Sequence, residues 1–250
     1  MVMRTGHRGD DPRRRLLIQA LAASLMSALV PSRATLAQSV FGSRPSKLPP
    51  EQSIYRLVGA VKVNDRDADL RTRIRAGDTI ETARDGELVF VVGGNAMILR
   101  GGSRLVIAPP EQPTEQSSLI ITGLRLLTGR ILSVSRRQPM RVETAVATIG
   151  IRGTGFYAES EPEETYFCTC YGETDVVANA DPESRATVVS QAHDQPIYVV
   201  ADGARGNNIR SAPFKNHSDD ELRLIETLVG RTPPFGSSTY SYPGSGSGYP

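Results

Sequence analysis

The stretch Val142-Glu143-Thr144-Ala145-Val146-Ala147-Thr148-Ile149-Gly150-Ile151-Arg152-Gly153-Thr154-Gly155-Phe156 decides the fold class of this chain. Valine, isoleucine and threonine dominate it, and these β-branched types suit a pleated, half-buried surface. It reads as a pair of strands with an apolar inner face, interrupted by small residues. The glycines of Gly150-Ile151-Arg152-Gly153-Thr154-Gly155 have neither the spacing nor the context of a dinucleotide-binding loop. They fit a sharp bend or a close approach of strands.

The same texture extends in both directions. Ile54 to Val63 is strand-like. Further strands are expected near Ile80, over Glu87–Val92, Ala96–Leu99 and Leu105–Ile107, with Asp85-Gly86, Gly93-Gly94-Asn95 and Gly101-Gly102-Ser103 as turns. After a polar loop from Pro109 to Ser118, the pattern resumes at Leu119–Ile121, Gly123–Leu127, Arg130–Ser135, Met140–Thr144 and Thr154–Ala158. Tyr166–Tyr171, Thr174–Ala178, Arg185–Ser190 and Pro196–Val200 follow, with Glu159–Glu164 as a solvated acidic loop. Short strands punctuated by turns predict an all-β domain, a β-sandwich or a rolled β-barrel or β-helix-like form. One helix is expected over 218–229. Ser218 with Glu221 forms a capping box, Leu222, Ile225, Leu228 and Val229 share a face, and Gly230 ends it.

The two termini read differently. Arg13-Arg14-Arg15-Leu16-Leu17 opens an apolar run that ends near Val30, and Thr35-Leu36-Ala37 supplies small residues for cleavage. Residues 1–37 thus read as a signal peptide of twin-arginine type, which predicts a periplasmic or other extracytoplasmic location. The alternative is an uncleaved signal anchoring the chain in the inner membrane. The run is shorter than the ~20 residues that span a bilayer as a helix, so no stable membrane insertion is expected after cleavage. Residues 38–53 read as a linker, 54–200 as the β-domain, 201–235 as a loop plus the helix, and 236–250 as a disordered tail of Gly, Ser, Tyr and Pro.

Charge narrows the partners. The whole chain carries a net +2, but residues 1–37 hold six arginines and two aspartates. The remainder has 23 Lys and Arg against 25 Asp and Glu, a net −2, and so no general attraction to nucleic acid. Arg71, Arg73, Arg75 and Arg136-Arg137 are read as solvated ends of strands. With no tryptophan, six phenylalanines and eight tyrosines, the core must rest mainly on aliphatic side chains.

Segment 54–158 resembles the FecR domain family. The resemblance is carried by Gly59-Ala60-Val61, Gly77-Asp78-Thr79-Ile80-Glu81-Thr82, Asp85-Gly86 with the Glu87–Val92 strand, Gly102-Ser103-Arg104-Leu105, Leu127-Thr128-Gly129-Arg130-Ile131, and the opening stretch through Phe156. It implies a non-enzymatic all-β domain outside the cytoplasmic membrane. The family's best-known members relay a signal to a cytoplasmic sigma factor. The few residues before the apolar run leave no room for that sigma-binding segment, so the chain is expected to be a stand-alone exported member. Its expected role is a binding or scaffold protein in the periplasm or envelope, with an envelope protein or a glycan as partner.

One constellation carries chemistry. Cys168-Thr169-Cys170 lies in an expected strand, His193 follows, and His217 precedes the helix. Alternation along a strand points both thiols to one face, at a separation of roughly 6–7 Å. That is long for a disulfide. Two thiolates and two imidazoles suit Zn or Cu, and Asp219 is placed to hold His217. The alternative function is therefore a metal-binding or thiol-redox protein using Cys168, Cys170, His193 and His217. A disulfide formed after a local bulge, or two thiols packed as small core residues, are the other readings of the cysteines. No catalytic set emerges from Ser190, His193 and Asp194, and the acidic loop has no calcium-loop spacing.

Overall fold

The computed structural model describes residues 45–109, 119–135 and 139–234. The expected signal, the first part of the linker, the Pro110–Ser118 portion of the loop, Arg136-Arg137 and the tail lie outside the described residues. Among the described residues, fourteen strands and one helix make up the regular structure. The N-terminal seven are β1 (Ile54–Val58), β2 (Val61–Val63), β3 (Arg66–Asp67), β4 (Thr79–Thr82), β5 (Glu87–Val92), β6 (Asn95–Leu99) and β7 (Arg104–Ile107). Then come β8 (Gly123–Ser135), β9 (Met140–Glu143), β10 (Ala147–Ser160) and β11 (Glu164–Ala178). The chain finishes with β12 (Arg185–Ser190), β13 (Ile197–Val200), β14 (Ile209–Ser211) and helix α1 (Asp219–Leu228).

The result is an all-β, sandwich-like domain with one short C-terminal helix, and the described strands do not close into a barrel. Three long strands make it a sandwich by changing partners along their length. The first part of β10 pairs with β9, with Thr148 opposite Glu143, and its second part pairs with β8, with Tyr157 opposite Leu132. Strand β8 likewise runs beside β7 and β9 near its start, and beside β6 and β10 near its end. Strand β11 follows β10 throughout, flanked by β13 near its start and β12 near its end.

Two aliphatic cores result. Phe90, Met97, Leu99, Ile131, Phe156 and Phe167 face the first. Their chain neighbours Val89, Ile98, Leu132, Tyr157 and Cys168 face the second, which α1 covers with Leu222, Ile225 and Leu228. Runs such as Glu87–Val92 are apolar on both faces because β5 is buried on both faces. Each fully buried large side chain contributes about 1.5–3 kcal/mol over exposure, so the helix face is a substantial part of the stability.

The structure corrects several expected boundaries. Gly123–Leu127 and Arg130–Ser135 are one strand, as are Tyr166–Tyr171 and Thr174–Ala178. The opening stretch contributes β9 and an early start to β10, which is continuous from Ala147. Leu119–Ile121 is not a strand. Nor is Glu159–Glu164 all loop: Glu159 and Ser160 finish β10, Glu164 opens β11, and the Glu159 side chain, 13% exposed, pairs with Lys215 at 2.9 Å. The helix begins as its spacing implies, with Ser218 as N-cap and both halves of the capping box formed. Among the described residues no helix is long and apolar enough to cross a membrane.

Candidate metal centre

Strand β11 places the first two side chains. Tyr166 and Cys168 face the helix-covered core, and Phe167 faces the other. The ladder to β10 then slips: Gly155 lies opposite Tyr171 and Phe156 opposite Thr169, leaving Cys170 as the extra residue of a bulge. A bulge re-aims a side chain and releases main-chain groups from the ladder. Cys170 keeps the face that alternation gives it beside Cys168, and past the bulge Tyr171 turns to the same core. The Cys170 carbonyl accepts the His193 N–H at 3.1 Å.

His193 comes from the connection between β12 and β13, and His217 from the residue before the N-cap of α1. Both are bent in from irregular backbone. His193 itself has φ 56°, and Asn216, immediately before His217, has φ 62°. Such left-handed residues cost on the order of 1–2 kcal/mol, so the surrounding structure must hold them there.

The four ligand-capable atoms lie within 4.8 Å of one another, and all four residues are buried. Cys168 Sγ is 3.9 Å from His193 Nδ1, and His193 Nδ1 is 3.0 Å from His217 Nε2. A tetrahedral ion with bonds near 2.0–2.3 Å would set its ligand atoms roughly 3.3–3.8 Å apart. These two contacts need shifts of a few tenths of an ångström, and a pair at the 4.8 Å limit must close by about 1 Å. Both cysteines are free thiols.

The outer nitrogens fix the rings. His193 Nε2 meets the Asp219 carboxylate at 2.9 Å, and His217 Nδ1 meets the Lys215 carbonyl at 2.7 Å. In the neutral rings each acceptor takes a hydrogen bond from the ring N–H it faces, which leaves His193 Nδ1 and His217 Nε2 as the lone-pair nitrogens facing the thiols. Carboxylate and carbonyl partners of this kind orient metal-binding histidines. The sequence reading assigned Asp219 to His217; in the structure Asp219 serves His193. The difference follows from the N-cap turn, which brings the Lys215 carbonyl within reach of the ring two residues on. Aromatic rings pack the histidines from outside: Tyr157 stacks on His217 at 4.6 Å, and Phe214 lies edge-on to His193 at 4.8 Å.

The electrostatics divide the two thiols. Burial opposes ionisation of Cys168, but Cys170 and the two imidazoles outweigh it and hold the Cys168 thiol well below its ordinary value. Burial, together with the Cys168 sulfur beside it, pushes the Cys170 thiol well above. Burial also disfavours the His193 cation, yet Cys168 and Asp219 raise its value above that of a free imidazole. Without a cation, two thiolates in this space repel one another.

A cleft of about 790 Å³ opens beside the centre, with Tyr157 and His217 in its wall and Arg56, Arg84, Arg100 and Arg130 around it. Arg100 spans the cleft, binding Glu87 at 2.7 Å and Glu221 of the helix at 2.5 Å.

No family model matches the chain, and no curated protein does. Two solved structures from Parabacteroides distasonis, provisionally described as anti-sigma factors, resemble it. One is 18% identical over 54% of this chain and 58% of its own, with a TM-score of 0.40. The other is 16% identical over 60% of this chain and 74% of its own, with a TM-score of 0.41.

Proposed function

We propose that this chain is a non-enzymatic, FecR-like β-domain of the periplasm or envelope that carries a buried metal ion on Cys168, Cys170, His193 and His217. The carrying observation is the convergence of these four residues from three separate segments, with the outer nitrogen of each histidine already occupied. The set is closed. Four protein ligands satisfy a tetrahedral ion and leave no open position for substrate, the arrangement of structural rather than catalytic sites. Its work is to hold the domain's surface in shape for an envelope protein or glycan, and the cleft beside His217 is the concave surface nearest to it. Loading before export is compatible with the twin-arginine character of Arg13-Arg14-Arg15-Leu16-Leu17, because that route carries folded proteins.

Native mass spectrometry and elemental analysis of the purified full chain test the reading. One metal ion per chain is expected, lost in Cys168→Ser and in His193→Ala. A chain purified without chelators that carries no stoichiometric metal, and takes none up on titration, overturns it.

A further inference from the structure

We infer that the ion is divalent, of the Zn2+ class, and that it latches the 191–196 and 212–218 segments over the second core without being needed by the sheet; this rests on the metal-centre reading above. The first half of the inference comes from charge. Two thiolates and two neutral imidazoles bring two negative charges into a buried site. A divalent ion cancels them, whereas a monovalent one such as Cu+ leaves an uncompensated charge under the helix. Among the described residues, the carboxylate in contact with the ligands adds to that charge rather than absorbing it. Asp219 is itself a buried anion, 4% exposed, bonded to His193 and 3.7 Å from the Arg223 guanidinium that balances it. An unbalanced buried charge is far costlier than a neutral metal–thiolate site. Two thiolates among the donors also suit Zn2+ better than Cu2+, which favours nitrogen and oxygen ligands.

The second half comes from where the ligands sit. Cys168 and Cys170 belong to the sheet, and none of the four ligands lies in the first core. His193 and His217 belong to irregular segments: His193 N–H bonds Cys170, Ala212 N–H bonds Pro196 at 2.9 Å, Lys215 N–H meets the Tyr166 hydroxyl at 3.3 Å, and the Lys215 and Asn216 side chains reach Glu159 at 2.9 and 2.6 Å. The far end of the helix has its own anchors. Glu226 binds Tyr171 and, at 2.8 Å, Arg231, and the Leu48 N–H donates to the Leu228 carbonyl at 2.9 Å. Removing the ion therefore frees the two histidine segments, and with them the ring of Phe214, while the sheet, with Tyr157 on β10, and the end of α1 stay in place. The domain has a closed, metal-loaded form and an open, metal-free one.

The test uses the full chain, stripped with a chelator and reloaded with Zn2+ or Cu+, followed by hydrogen exchange read by mass spectrometry. Zn2+ is expected to restore one ion per chain. In the stripped protein, amides in 191–196 and 212–218 should exchange on the order of tenfold faster or more, with β8 and β10 unchanged. His217→Gln should reproduce the open pattern and be insensitive to Zn2+. Preferential retention of Cu+ in direct competition overturns the assignment of the ion. Zn2+ binding without any change in exchange overturns the latch, as does loss of protection throughout β8 and β10. Failure to bind either ion overturns the metal-centre reading itself, and is distinguished from the other outcomes by the mass of the reloaded protein.

Discussion

His193 Nδ1 faces His217 Nε2 across 3.0 Å, and each ring has its other nitrogen engaged, one by the Asp219 carboxylate and one by the Lys215 carbonyl. Two imidazole lone pairs at that distance repel unless a proton or a metal ion lies between or beside them. The pairing thus links local chemistry to chain path: the ring positions depend on a left-handed His193, a left-handed Asn216 and a capped helix start.

Asp219 is the group whose removal should separate affinity from fold. Asp219→Asn keeps the shape and the hydrogen-bonding capacity but removes the charge that polarises His193. Loss of such an outer partner weakens metal binding about 10–100-fold. Asp220 also lies in the first turn of α1 and is exposed, so Asp220→Asn controls for the helix dipole. Competition titration with a chromophoric chelator should show weakened binding for Asp219→Asn and unchanged binding for Asp220→Asn.

Gly155 is set by close approach. A Cβ there would lie 2.5 Å from Cε1 of Tyr171, whose hydroxyl is tied to Glu226. Gly155→Ala should therefore destabilise the domain by about 1–3 kcal/mol, as overpacked cores do. At Gly150 the nearest atom to an added Cβ is 3.7 Å away, and Gly150→Ala should be neutral or stabilising by up to about 1 kcal/mol. Urea denaturation of the two variants is the comparison, and equal costs would contradict the packing argument.

The contrast between these glycines explains what could be read from the sequence. The two thiols share a face because they alternate along β11, and the helix start is written in Ser218 and Glu221, so both were legible. The histidines carry only their residue type as a signal, and the structure brings all four ligand atoms together. Strand continuity was not legible. Gly129, Gly153 and Gly172 have φ of 90°, 63° and 95° inside β8, β10 and β11, and a glycine in a strand gives the same local signal as a turn. The bulge at Cys170 was hidden for the related reason that it depends on the register with β10. The partner of Asp219 and the burial of Glu159 depend on where segments from opposite ends of the domain meet, which no local pattern encodes.

Glu159 gives a prediction with a definite sign. Burial favours its protonated form, but hydrogen bonds from Asn216, Lys215 and Tyr157 outweigh burial and hold its carboxyl below the ordinary value of 4.5. A carboxylate lowered on folding contributes stability that is present above its unfolded value and lost as pH falls through the folded one. Thermal unfolding of chelator-stripped protein should therefore steepen its decline below about pH 4.5. Glu159→Gln should lower the unfolding temperature near neutrality and flatten that acidic decline. An unchanged acid limb in the variant would assign it to other carboxylates.

Ser218 couples helix capping to the metal site. Its hydroxyl accepts the Glu221 N–H, while the Glu221 carboxylate takes the Ser218 N–H and also binds Arg100. Ser218→Ala removes the first of these bonds, and loss of such a cap costs about 1 kcal/mol. His217 is the preceding residue, so the cap and the ion stabilise the same backbone. If the ion alone held His217 in place, the substitution would lower the unfolding temperature and leave metal affinity untouched. With the two coupled, part of the lost energy appears as weaker binding, up to about fivefold for 1 kcal/mol. Glu221→Gln removes the charge facing Arg100 while retaining an acceptor for the Ser218 N–H, and should weaken binding less than Ser218→Ala. Paired measurements of unfolding temperature in stripped protein and dissociation constant in loaded protein decide between these outcomes, because only coupling moves both in the same variant.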